Sequence, residues 1–188
     1  MREIIEAFII LSPAMVANMA ATPAGVFGSR QFPVLGAIDG GATFRDKRPV
    51  LGTGKTWAGF IGGTLMAGLF CAIVATWMKV GWQTPNWLVA GLALGGGALM
   101  GDILKSFVKR RLNFANDTCM PVADQLDFLI GGGAAFVLLR ISQSQFFATN
   151  VPWKLTPNGF FWVCGIMLVL HPAVNYIAFV LKLKRVRY

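Results

Sequence analysis

Charge is what this sequence has least of: 13% of its 188 residues are charged, about half of the roughly 25% found in soluble domains. A chain so poor in charge and 55% hydrophobic cannot cover a water-facing surface, which excludes a soluble fold. With no soluble domain there is nothing for nucleic acid to dock on, and no protein partner is implied. Cysteine is also sparse. Cys71 and Cys164 fall in apolar stretches and Cys119 in a polar one, without C-x-x-C spacing, so neither a disulfide framework nor a zinc site is indicated. The one histidine, His171, has no second metal-binding side chain at ligand spacing in its stretch. It reads as a hydrogen-bonding partner of Asn175 across the Pro172 kink rather than as a base. A P-loop is missing too: GTGKT at 52–56 has Pro49 where the motif needs its first glycine.

Long apolar runs, by contrast, are abundant. A spanning helix needs about 20 mainly apolar residues, and five stretches supply them or nearly so, at about 4–27, 57–78, 87–104, 122–141 and 159–181. The expected fold is an all-α integral membrane protein: a single domain over 1–188 with five transmembrane helices and two functional loops, at about 28–56 and 105–121. The first stretch carries Asn18 and Thr22 and lacks a small-residue cleavage pattern after a basic segment, so it is expected to be a retained span. Pro13 and Pro23 predict breaks in its hydrogen-bond ladder. Asn18 reads first as interhelical packing glue, and the many glycines of the second to fourth spans as close-packing positions.

Positive charge sorts by side. Arg30, Arg45, Lys47, Arg48, Lys55, Lys105, Lys109, Arg110, Arg111 and the tail residues Lys182, Lys184, Arg185 and Arg187 fall on one side. Arg2, Lys79, Arg140 and Lys154 fall on the other. The positive-inside rule then puts both loops and the C-terminus in the cytoplasm and the N-terminus outside. The tail needs no role beyond topology and lipid-headgroup anchoring. All six aspartates lie on that cytoplasmic side of the cell membrane, which is where a site is expected.

The stretch 101–128, GDILKSFVKRRLNFANDTCMPVADQLDF, holds four of the eight acidic residues. If the third helix continues, Asp102, Lys105, Ser106 and Lys109 line one face of it. Asp124 and Asp127 share a face of the fourth helix just after Pro121, where acids also complement a helix dipole. Clustered carboxylates repel unless a cation holds them, and hard oxygen ligands suit Mg²⁺. In the first loop, glycine alternates with cations, a composition suited to phosphate oxygens. There Lys55 and Thr56 stand at the mouth of the second span, and Asp39-Gly40-Gly41 is in the first place turn chemistry.

The order Asn18, DGGATFR, LGTGKTWAGFIGG, GDILKSFVKRR, DQLDF, HPAVN resembles the archaeal CDP-archaeol synthases, relatives of the bacterial phosphatidate cytidylyltransferases. Val122 and Ala123 stand where the bacterial branch would have a histidine-glycine stretch, which favours the short archaeal branch. The resemblance implies a membrane nucleotidyltransferase of phospholipid biosynthesis. It would transfer CMP from CTP to a prenylated ether-lipid phosphate, 2,3-bis-O-geranylgeranylglycerol 1-phosphate, with Mg²⁺ as cofactor and pyrophosphate as the second product. It further implies catalysis by Asp102, Asp124, Asp127 and Lys105, with the three aspartates on the metal. Asp39, Gly40, Gly54, Lys55, Thr56, Lys109, Arg110, Arg111 and Asp117 would meet the nucleotide and its phosphates. A transporter or channel would be expected to carry charge through the midplane. A CDP-alcohol phosphotransferase would be expected to complete its glycine-aspartate motif after Asp39-Gly40.

Overall fold

Backbone groups in hydrocarbon must be paired within their own segment, and the computed structural model is accordingly all-α. It describes residues 1–77, 84–114, 118, 120, 122–142 and 154–180. Lys79, Asp117, Cys119, Pro121, the cationic tail and the side chain of Asn175 lie outside the described residues. In chain order come α1 (Arg2–Gln31), a 3-10 turn (Pro33–Leu35), α2 (Trp57–Trp77), α3 (Thr84–Arg111), α4 (Ala123–Ile141) and α5 (Pro157–Val180). By length and composition, α1, α2 and the Trp87–Arg111 portion of α3 can cross a membrane. The 19-residue α4 carries Asp124, Asp127 and Arg140, and α5 contributes the shorter apolar helix Pro157–Ala173. Leu65, Leu69, Ile73 and Trp77 of α2 are each more than half exposed. Apolar surface on this scale suits hydrocarbon and would drive aggregation in water.

The prolines of α1 do not break it. Pro13 and Pro23 sit inside one continuous 30-residue helix. Pro13 has no N–H for the Ile9 carbonyl, and that oxygen accepts the Ser12 hydroxyl at 2.7 Å instead. The first loop is correspondingly shorter than expected, because α1 takes its first four residues.

Helix α1 packs against α2, α3, α4 and α5, and α3 lies between α2 and α4. Leu11, Phe128, Leu129 and Val163 fill the centre where α1, α4 and α5 meet. The tightest approach joins α3 to α4: a Cβ on Gly131 would overlap the Gly97 carbonyl oxygen, and one on Gly101 would overlap that of Asp127. With only hydrogen atoms between the helices, the opening turns of α4 lie directly against the end of α3. Val122, just before α4, has φ 72, in a left-handed region that strains a β-branched side chain.

The segment between α1 and α2 folds on itself through bridges pairing Ala37 with Thr56 and Thr43 with Pro49. Its hub is Asp39. Oδ1 accepts the Gly41 N–H at 3.0 Å, and Oδ2 accepts those of Leu51 at 2.8 Å and Gly52 at 3.2 Å. Gly40 and Gly41 make the turn at positive φ. Burial pushes the Asp39 carboxyl up, but the amides of Leu51, Gly41 and Gly52 outweigh it and hold it below the usual carboxylate range. A carboxyl depressed in the folded loop stabilises that loop fully above its ordinary pKa, and the contribution is lost as pH falls through the depressed value. Hydrogen exchange at the Leu51 and Gly52 amides is therefore expected to lose protection on acidification below about pH 4. In Asp39→Asn the same amides should exchange roughly tenfold faster at neutral pH, the scale of one charge-assisted hydrogen bond. Unchanged protection would show that the loop is held some other way.

Candidate active site

Because α3 runs past its apolar portion to Arg111, Asp102, Lys105, Ser106 and Lys109 do form a stripe on one helix face, with the Ser106 hydroxyl donating to the Asp102 carbonyl at 2.9 Å. The glycine contact between α3 and α4 lays this stripe against Asp124 and Asp127. Lys105 is the point of convergence. Its Nζ lies 3.1 Å from Asp102 Oδ1, 2.9 Å from Asp124 Oδ1 and 2.6 Å from Asp127 Oδ2.

Two further ammonium groups close the cluster. Lys55 reaches in from the first loop and donates to Asp102 Oδ2 at 2.5 Å. Lys109 stands 3.3 and 3.4 Å from the two Asp124 oxygens and donates to the Thr118 carbonyl. Backbone amides complete the carboxylate shells, Met120 N–H to Asp124 Oδ2 at 2.6 Å and Phe128 N–H to Asp127 Oδ1 at 2.7 Å. Asp102, Asp124 and Asp127 are thus balanced by Lys55, Lys105 and Lys109. Buried charge survives only when compensated in this way. One oxygen stands out: Asp127 Oδ2 is buried and accepts no aligned hydrogen bond among the described residues, although the Lys105 ammonium is close by.

The donor set fits a hard divalent cation, since three carboxylates converge on one point and the buried Asp127 Oδ2 is held there by the Lys105 ammonium alone among the described side chains. That point is filled by the Lys105 ammonium. Among the described residues, no three His, Cys, Asp or Glu side chains already stand at metal-holding spacing.

Two cavities flank the cluster. The larger, about 410 Å³, is bordered by all three aspartates, by Lys55, Thr56 and Lys105, by Asn18 and Thr22 of α1 and by His171 of α5. Ile38, Phe60, Leu99 and Ile103 give it an apolar wall. The smaller, about 200 Å³, is bordered by Lys55, Lys105, Lys109, Arg110 and Ser106 together with Leu51, Thr53 and Gly54. Gly54, Lys55 and Lys105 belong to both.

The remaining expected residues are placed differently. Arg110 is buried beside the smaller cavity, with Nη1 donating to the Phe114 carbonyl at 2.5 Å. Arg111 points to the first loop. Its guanidinium donates to Asp46 Oδ1 at 2.6 Å and to the Pro49 carbonyl, and it lies 4.8 Å and 5.1 Å from the Phe44 and Phe107 ring centroids. Arg48 answers by donating to the Arg111 carbonyl at 2.8 Å. Arg111 therefore clamps the loop onto α3, while the Asp39 carboxylate is engaged by loop amides and Gly40 serves its turn. Asn18, Thr22 and His171 also border the larger cavity, although from the sequence Asn18 reads first as packing glue, His171 as a hydrogen-bonding partner of Asn175, and Thr22 as no site residue. The signal available for them was polarity inside apolar spans.

Over residues 1–188 the chain matches the model of a family described as CarS-like: CDP-archaeol synthase. It is 36% identical over 177 residues to the CDP-archaeol synthase of Methanosphaerula palustris, covering 93% of this chain and 98% of that one. To the Methanosarcina mazei CDP-archaeol synthase it is 33% identical over 186 residues, covering 92% and 97%. It also resembles a solved structure described as an intramembrane enzyme for archaeal membrane lipids biosynthesis. That match has a TM-score of 0.72 and 31% identity, and covers 92% of this chain and 94% of the other.

Proposed function

The chain belongs to the CDP-archaeol synthase family, and from that premise we propose that it transfers CMP from CTP to 2,3-bis-O-geranylgeranylglycerol 1-phosphate, releasing pyrophosphate. The observation that carries this reading is the pair of cavities meeting at Lys55 and Lys105, one cation-lined and the other half apolar.

Four cationic side chains border the smaller cavity, a wall suited to a triphosphate. The larger takes the lipid phosphate, with its first prenyl carbons along Phe60, Leu99 and Ile103. Lys55 and Lys105 then stand between the two substrates and hold both anions against their mutual repulsion. A lipid phosphate oxygen attacks the α-phosphorus of CTP; the new P–O bond forms as the bond to the bridging oxygen breaks, and pyrophosphate leaves with that electron pair. The nucleophile is already anionic and needs no base. Asp102, Asp124 and Asp127 would hold Mg²⁺, which when bound supplies Lewis acidity toward the triphosphate oxygens.

In this proposal all five described helices cross the cell membrane, with the C-terminus and the site at the cytoplasmic face. Support comes from the lysine and arginine asymmetry and from the position of every described aspartate at one end of the bundle or in the first loop. The functional test is pyrophosphate release by purified protein. It is expected to require CTP, Mg²⁺ and the prenylated ether-lipid phosphate together. CTP left intact with all three present would overturn the reading.

A further inference from the structure

Lys105 occupies a position that two different cations have reason to claim. Its ammonium is within 3.1 Å of an oxygen from each of three aspartates on two helices, and it borders both cavities. Among the described residues, the three aspartates around it do not already stand at metal-holding spacing. On the reading above, we propose that Lys105 is a resident counter-ion: it holds Asp102, Asp124 and Asp127 together before the divalent cation arrives, then yields its place and moves its ammonium onto the nucleotide phosphates.

The physical reason lies in charge balance. Three carboxylates and three ammonium groups leave the cluster neutral before any ligand enters. A divalent cation arriving alone would over-charge it and release an ammonium beside itself, where like charges in a partly buried site repel strongly. A triphosphate arriving alone in the smaller cavity would find Lys55, Lys105 and Lys109 already paired with Asp102, Asp127 and Asp124. Arriving together, the cation takes the aspartates and the triphosphate takes the freed ammonium. The smaller cavity already borders Lys105, so the side chain needs only to swing, while Lys55 stays on Asp102. Metal and nucleotide then bind cooperatively, and the effect is reciprocal because both act on one coupling free energy.

The test uses the purified full chain in lipid nanodiscs, with Mn²⁺ as the spectroscopic probe and binding followed by paramagnetic resonance. In the wild type, Mn²⁺ binding is expected to tighten on the order of tenfold when a non-hydrolysable CTP analogue is added. In Lys105→Met, which keeps the length and loses the charge, Mn²⁺ alone should bind on the order of tenfold tighter than to the wild type, with little further gain from nucleotide. The variant should also melt below the wild type without cation and recover most of the difference with Mn²⁺ alone. Mn²⁺ binding by Lys105→Met no tighter than by the wild type would overturn the proposal. So would a wild-type affinity indifferent to nucleotide, which decides the matter even if the variant does not fold. Pyrophosphate release measured on the same wild-type preparation separates the two readings. If release persists without coupling, only the lysine exchange falls; if there is no release, the proposed activity falls.

Discussion

Asp127→Asn lowers pyrophosphate release on the order of 10³-fold while leaving the protein folded, the scale of a lost preorganised electrostatic contact. The substitution preserves shape, and an Asn oxygen can still accept the Phe128 amide now held at 2.7 Å. Lys105 keeps Asp102 and Asp124 as partners at 3.1 and 2.9 Å. What disappears is the charge on the buried oxygen that lacks an aligned donor. That oxygen meets the Lys105 ammonium at 2.6 Å, and in the proposed mechanism the divalent cation takes over the same position. Steady-state pyrophosphate release and thermal unfolding, measured side by side, separate this outcome from misfolding. Full activity in Asp127→Asn would sink the metal assignment.

Gly131→Val is expected to cost about 3 kcal/mol of stability, the upper part of the overpacking range, and to abolish activity in whatever still folds. The new side chain would meet the Gly97 carbonyl oxygen and the Gly101 Cα, both backbone of α3. Backbone within a helix gives way only if the whole helix moves. Displacing α4 also carries Asp127, one turn away, off Lys105. Gly133→Ala is the contrasting case, since its Cβ would meet the Phe160 ring at 3.1 Å, a side chain that can rotate. Its melting temperature should fall far less than that of Gly131→Val. Equal melting of the two variants would mean that the α3–α4 contact is not what sets the site's geometry.

Much of this arrangement was legible in the sequence. The spacing of Asp102, Lys105, Ser106 and Lys109 announces a helix face, and that of Asp124 and Asp127 announces another. Both readings need only local periodicity. Their partners were less legible. Asp39 looks like a turn residue, and nothing in DGG tells that its second oxygen takes amides 12 and 13 residues away. Arg111 sits in a basic run that suggests phosphate, yet its ligands come from a loop more than sixty residues upstream. Pro13 looks like a break until the Ser12 hydroxyl is seen to take over the orphaned carbonyl. Asn18 and His171 lie on helices at opposite ends of the chain, so no window of sequence sets them against one cavity. Helix-scale chemistry is written in spacing; convergence depends on which helices pack, and that is decided by the glycine faces.

The join between α1 and α5 matters for the order in which the molecule is made. Glu6 Oε2 accepts the Lys154 amide at 3.2 Å and Glu3 Oε2 the Thr156 hydroxyl at 3.2 Å, just before α5 begins. The first and last of the described helices are therefore fastened to each other at these residues. Since synthesis proceeds from the N-terminus, Asn18 of α1 waits through α2, α3 and α4 before α5 brings His171 to the same cavity wall. A chain stalled before α5 already carries every charged residue of the cluster but lacks His171 from the wall of the larger cavity. On the proposed assignment of the two cavities, such an unfinished chain would have the nucleotide's wall complete before the lipid's.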